Sequence, residues 1–150
     1  MKNNNFAKYD NREALVAEVN RRAQVGSSTM PAVLGGGSGE KSPVWMRDYS
    51  DPADQPPKNP KAQQMIDATL FHLQADRMVM GHTVQRGINV ALKDKAWRVD
   101  VGASKGVMSG TPEVLEVAMK DGKEIVSVLT NGGRIPAKER RVEVSVTVNS

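Results

Sequence analysis

The sequence predicts an α+β fold: two amphipathic helices and one buried strand, followed by a mainly antiparallel meander of about five strands. Three observations carry that reading. Apolar residues recur at helical spacing in two stretches of the first half, the period changes to two from Ile88 onward, and short turn signals punctuate the second half.

The first helical stretch covers residues 11–24, where Leu15, Val16 and Val19 with Ala14, Ala17 and Ala23 recur among Arg, Glu and Asn, and Asp10 or Asn11 can serve as N-cap. Residues 25–39 are rich in Gly and Ser. Their centre, Gly35-Gly36-Gly37-Ser38-Gly39, has no Lys-Ser or Lys-Thr in P-loop register and opens no helix, so it reads as a flexible linker rather than a phosphate cradle. Helix and linker together account for residues 1–41. Residues 42–50, Ser-Pro-Val-Trp-Met-Arg-Asp-Tyr-Ser, followed by a Pro- and Asp-rich stretch to Pro60, read as a surface loop of the kind that carries binding residues.

A second helix is expected over residues 60–74, with Pro60 near its first turn and Met65, Ile66, Thr69, Leu70 and Leu73 as its apolar stripe. The run Met78-Val79-Met80 is then expected as a buried strand ending in the loop Gly81-His82-Thr83. Residues 88–92 and 97–101 form a hairpin through Lys93-Asp94-Lys95. Residues 114–119 and 125–129 form another around Asp121-Gly122, an Asp-Gly pair being the sharper turn cue. Within residues 131–150, a last strand alternates Val142, Val144, Val146 and Val148.

Composition narrows the function classes. The 150 residues, 39% hydrophobic and 25% charged, suit one ordinary soluble domain, and with only 4% aromatics the core must rest on aliphatic side chains. Lys+Arg 21 against Asp+Glu 17 is a mild, dispersed excess; without aromatic interleaving it does not make a nucleic-acid surface, and Lys138-Glu139-Arg140-Arg141 reads as a solvated segment. The lack of cysteine removes disulfides, thiolate metal sites and Cys nucleophiles. No apolar leader or bilayer-length run occurs, so the expectation is a soluble protein, cytoplasmic by default, with no membrane partner.

Only His72 and His82 bring imidazole chemistry. His72 falls inside the second helix and reads as an ordinary surface residue. His82 follows a strand and a glycine, at the strand end where α/β proteins place ligands. The residues alone leave it open as a ligand or as a loop histidine bonded to its surroundings.

The segments Arg77-Met78-Val79-Met80-Gly81-His82-Thr83-Val84-Gln85 and Trp97-Arg98-Val99-Asp100-Val101-Gly102-Ala103-Ser104-Lys105-Gly106, with Pro43-Val44-Trp45-Met46-Arg47-Asp48-Tyr49 upstream, together resemble the C-terminal blocks of calcineurin-like metallophosphoesterases. The resemblance is greatest to the Shewanella-like branch of phosphoprotein phosphatases, and it covers residues 42–130. It implies the C-terminal half of an αββα sandwich and a metal-dependent phosphoester hydrolase of the phosphoprotein phosphatase type. His82 matches the last metal-ligand histidine of a two-metal centre holding Mn, Fe or Zn. Arg47 matches an arginine near the entering phosphate, while Gly81, Thr83, Asp100 and Gly102 match residues that shape the site. Ala103 stands where a bulkier residue, often Met, is usual.

The family's other ligands come from Gly-Asp-x-His, Gly-Asp-x-Val-Asp-Arg-Gly, Gly-Asn-His-Glu and His-Gly-Gly elements, and none occurs in these 150 residues. A catalytic zinc takes about three protein ligands, so one imidazole does not hold two ions. The expectation is therefore a chain that binds no metal tightly and is inactive by itself, a truncated or split reading frame whose partner is the missing N-terminal half and whose substrate is a phosphoprotein or small phosphoester. The alternative is a non-catalytic remnant that binds a partner.

Overall fold

The structure, a computed structural model, describes residues 46–142 together with Ala17, Asn20, Arg21 and Gln24. The chain divides into two units, Met1–Arg47 and Asp48–Ser150. Of the first unit, those four residues are helical and exposed, and they fall within the stretch expected as the first helix. The glycine linker and Pro43, Val44 and Trp45 of the upstream block lie outside the described residues, as does the expected last strand beyond Val142.

The second unit is α+β, with one helix and two small sheets among its described residues. Helix α1 spans Ala62–Leu73 and buries Ala62, Ile66 and Leu70, a run at i, i+4, i+8 of which Ile66 and Leu70 belong to the expected stripe and Ala62 extends it. Asn59 starts it: its carbonyl accepts the Ala62 N–H at 3.0 Å and its side-chain oxygen accepts that of Lys61 at 2.9 Å. Gln74, left-handed at φ 51°, ends it, with the Ala75 N–H reaching back to the Leu70 carbonyl at 3.0 Å. The helix is too short to cross a membrane, and no described helix is long and apolar enough to do so.

The first sheet contains β1 (Met78–Met80), β2 (Asn89–Ala91) and β3 (Ala96–Arg98) in the order β1-β3-β2. β1 runs parallel to β3, and β2 and β3 form the expected hairpin. Every residue of β2 and β3 is buried. β1 corrects an expectation, because it is not a buried strand: Val79 is 53% exposed and its neighbours are half-buried. Three apolar residues in a row suggest cover on both faces, but among the described residues β1 is the sheet's edge and only β3 lies beside it.

The second sheet is the antiparallel meander β4 (Val114–Lys120), β5 (Lys123–Thr130) and β6 (Gly133–Pro136). Its first turn places Asp121 at φ 51° and Gly122 at φ 73°, both left-handed, between the paired Lys120 and Lys123. That is the conformation an Asp-Gly pair favours, and it fixes the register. β6 is an addition to the expected strands. Its turn, Asn131-Gly132, is closed by Thr130, whose hydroxyl accepts the Gly132 N–H at 3.1 Å and donates to the Gly133 carbonyl at 3.0 Å. A 3₁₀ turn, Ala137–Arg140, follows, and the Val142 N–H then bonds the Val90 carbonyl at 2.8 Å.

The core lies between the two sheets. Ile88, Val90, Trp97 and Val101 pack with Val128, and Val99, Leu115, Val126 and Ala137 close around them. The pairs Val90–Trp97 and Leu115–Val128 stand opposite one another within their ladders, so each sheet contributes a matched apolar face. The other face of the first sheet carries Asn89, Ala91, Ala96 and Arg98. Residues 51–55 cover its polar end, where Arg98 donates to the Gln55 carbonyl at 2.6 Å.

Candidate functional site

β1 stops after Met80, and the chain turns at His82. His82 itself adopts the left-handed conformation, at φ 71°, whereas Gly81 does not, and a β-carbon on Gly81 would meet only the Asp100 β-carbon at an ordinary 3.8 Å. A side chain in this region is disfavoured, so the surroundings must impose the conformation.

Asp100, beyond the end of the parallel neighbour β3, does this. Its Oδ2 accepts the His82 N–H at 2.9 Å, its Oδ1 accepts the Gly102 N–H at 2.9 Å, and its carbonyl accepts the Gln85 N–H at 2.8 Å. The Val99 N–H bonds the Met80 carbonyl at 2.9 Å, which brings both strand ends together. One carboxylate thus joins the two loops that leave β1 and β3. Gly102, at φ 57°, would carry a side chain only under strain: a β-carbon there would lie 2.9 Å from Val84 and 3.2 Å from Met108.

Behind the turn lies a buried polar layer that the sequence analysis did not identify. Gln85, 2% exposed, donates from Nε2 to the carbonyls of Asp51 at 2.8 Å and Thr83 at 2.9 Å, while its Oε1 accepts the Asp54 N–H at 3.0 Å. Arg98 donates from Nε to Asn89 Oδ1 at 2.6 Å, and the Asn89 amide donates to Asp54 Oδ1 at 2.8 Å. Asp54 Oδ1 also accepts the Arg86 N–H at 3.0 Å. Burial lowers the pKa of the Arg98 guanidinium, and the nearby carboxylates of Asp54 and Asp51 work against that shift. Period-two alternation beside Trp97 places Arg98 outside the apolar core and says nothing of what covers it. The one available signal was the density of Asp, Gln and Asn around positions 51–55 and 85–89.

The remaining candidates are placed as follows. His82 is exposed and Thr83 half-buried, and each makes further interactions. Arg47 is exposed, belongs to the first unit and has an interaction of its own. His72 is exposed on α1 and meets the Phe71 ring edge-on at 5.6 Å. Among the described residues no three His, Cys, Asp or Glu side chains are grouped as a metal site. The donor set on these residues therefore does not fit a two-ion centre by itself.

No protein-family profile matches the chain, and no solved structure matches it. Over 108 residues the chain is 40% identical to Shewanella-like protein phosphatase 2 of Arabidopsis thaliana. The match covers 68% of this chain and 25% of that relative's length.

Proposed function

Because the chain is related to the Shewanella-like protein phosphatases over 68% of its length, we propose that it is a C-terminal portion of a metal-dependent phosphoester hydrolase. In this reading His82 is one metal ligand and Arg47 grips the phosphoryl group. The observation that carries the proposal is the His82 turn, an exposed imidazole at a strand end, held in a disfavoured backbone conformation by Asp100.

The remaining ligands come from another polypeptide segment, the N-terminal half of an αββα sandwich. His82 and those ligands would together hold two Mn, Fe or Zn ions, which would supply an acidified water and charge stabilisation for an in-line displacement at phosphorus. The chain's own residues present the imidazole and fix its approach. Asp100, Gly102, Gly81 and Thr83 shape the turn, and the Arg47 guanidinium offers a two-pronged contact to phosphoryl oxygens of a phosphoprotein or small phosphoester.

Among the described residues nothing pairs with the outer edge of β1, which supports the need for a complementing segment. Its parallel ladder uses the main chain of Met78 and Met80 toward β3, as the bonds from the Met78 N–H to Lys95 and from the Val99 N–H to Met80 require, so the Val79 N–H and carbonyl point the other way. Val79 is also exposed on the face that carries Trp97, where a further strand would cover it.

The test is to produce the chain together with the polypeptide encoded immediately upstream of Met1 and to measure Mn²⁺-dependent hydrolysis of p-nitrophenyl phosphate. Activity in the assembly, absent from the chain alone and abolished by His82→Ala, is the expected result. Activity indifferent to His82→Ala removes the assignment. No activity in a well-formed assembly favours the non-catalytic, partner-binding reading.

A further inference from the structure

We propose that Gln85 is a positioning residue for His82, coupling the histidine turn to the segment of residues 51–55 through a buried amide whose bonds reach both. The inference rests on the reading of His82 as a metal ligand and adds a residue to which no role has been assigned.

The argument begins with hydrogen-bond accounting. Gln85 is 2% exposed, so the donors and acceptor of its own amide are cut off from water and need partners within the protein. Its amide has two donors and one acceptor oxygen, and all are used: Nε2 on the carbonyls of Asp51 and Thr83, Oε1 on the Asp54 N–H. The Asn89 amide adds a longer contact to Oε1 at 3.3 Å. The Thr83 carbonyl belongs to the residue next to His82. The Asp51 and Asp54 groups lie more than 25 positions earlier in the chain, with α1 and β1 in between. A single side chain therefore joins two loops that no strand ladder connects.

The two loops are clamped from both sides. Asp100 bonds the N–H of His82 and the backbone of Gln85, and Arg98 bonds the Asp51 carbonyl at 3.4 Å and the Gln55 carbonyl at 2.6 Å. The Ala53 N–H adds a main-chain bond to the Val84 carbonyl at 3.2 Å. Asp100 holds the peptide that precedes His82, and Gln85 holds the Thr83–Val84 peptide, one beyond the peptide that follows His82. The two-residue stretch His82-Thr83 is thus pinned at both ends, and releasing the Gln85 end leaves the torsions between them free to readjust.

Gln85 differs from Asp100 in being separable by near-isosteric substitution. Gln85→Met keeps the volume and removes every polar bond of the side chain. Gln85→Glu keeps the acceptor for the Asp54 N–H and, as a carboxylate, removes both donors, turning oxygens toward the Asp51 and Thr83 carbonyls.

The experiment is NMR on the isotope-labelled 150-residue chain. Its two histidines give two imidazole signals, and His72, on the exposed side of α1, is the internal control. In Gln85→Met, Asp54 amide exchange rises about tenfold, the equivalent of one hydrogen bond, and the His82 imidazole signals move or broaden. In Gln85→Glu the His82 signals move while the Asp54 amide keeps its protection. In both variants His72 and the β4–β5 hairpin signals stay where they are. His82 signals that coincide with wild type in either variant overturn the proposal. So does loss of the β4–β5 signals in both, which would make Gln85 a residue of the global fold. These signals are read on the chain itself, so they stand or fall independently of the hydrolysis assay.

Discussion

The carboxylate of Asp100 accepts the backbone N–H of His82 at 2.9 Å and holds that histidine at φ 71°. The bond acts on the backbone rather than the ring, and the residue as a whole is exposed. Two opposing consequences follow: the turn costs stability, and the imidazole it presents is what the proposed chemistry uses.

His82→Gly relieves the backbone strain and deletes the imidazole. The expected result is a gain of about 1 kcal/mol in unfolding free energy, the scale of a left-handed residue's cost, together with loss of activity in the completed enzyme. Urea unfolding of the chain measures the first part. A variant less stable than wild type would mean that the His82 side chain makes contacts worth more than the strain.

Gly102 and Gly81 separate a required glycine from a permitted one. Gly102→Ala puts a β-carbon at φ 57° and 2.9 Å from Val84, and is expected to cost about 1–3 kcal/mol. Gly81→Ala meets only ordinary contact at 3.8 Å and is expected to change stability by less than about 0.5 kcal/mol. Thermal denaturation of the pair tests the distinction, and equal effects would contradict it.

Arg77, just before β1, donates to Glu124 at the tip of the β4–β5 hairpin. That hydrogen bond is the main reason the Glu124 carboxyl lies below its ordinary value of 4.5 and the Arg77 guanidinium above its own. A carboxyl depressed in the folded state binds fewer protons than in the unfolded chain. Its stabilisation is therefore present above the ordinary value and is lost as pH falls through the folded one. Asp67, lowered mainly by its bond from Lys95, behaves alike. Glu124→Gln is expected to flatten the fall of stability below about pH 4.5, read from urea midpoints across the acid range. An unchanged slope would mean that the pair contributes nothing in solution.

The fold was legible where chemistry is local. Helix α1 announced itself through Ile66 and Leu70, and the β4–β5 turn through Asp121-Gly122, because apolar spacing and left-handed turn positions are properties of short segments. β6 was overlooked although Asn131-Gly132 is a turn signal of the same kind; four residues with the one apolar side chain of Ile135 between Arg134 and Pro136 carry little alternation. The exposure of Val79 was not legible, since an apolar triplet reads the same at an edge as in the middle of a sheet. At the site, His82 stood out by its rarity and its place after a strand. That the histidine itself takes a left-handed conformation was not legible, because the Asp100 bond that holds its N–H comes from 18 positions further along the chain. Gln85 and Arg98 escaped notice because a buried polar residue differs from an exposed one only in what lies across from it, 30 or more positions away for Gln85 and Asp51.

The central claim is that the imidazole at position 82 binds a metal ion in the assembled protein. Metal content of the purified assembly of this chain with its upstream polypeptide, compared with the same assembly carrying His82→Ala, tests it most directly. The account predicts a full two-ion complement in the first and loss of at least one ion in the second, with both assemblies folded. Equal metal content in the two would contradict it.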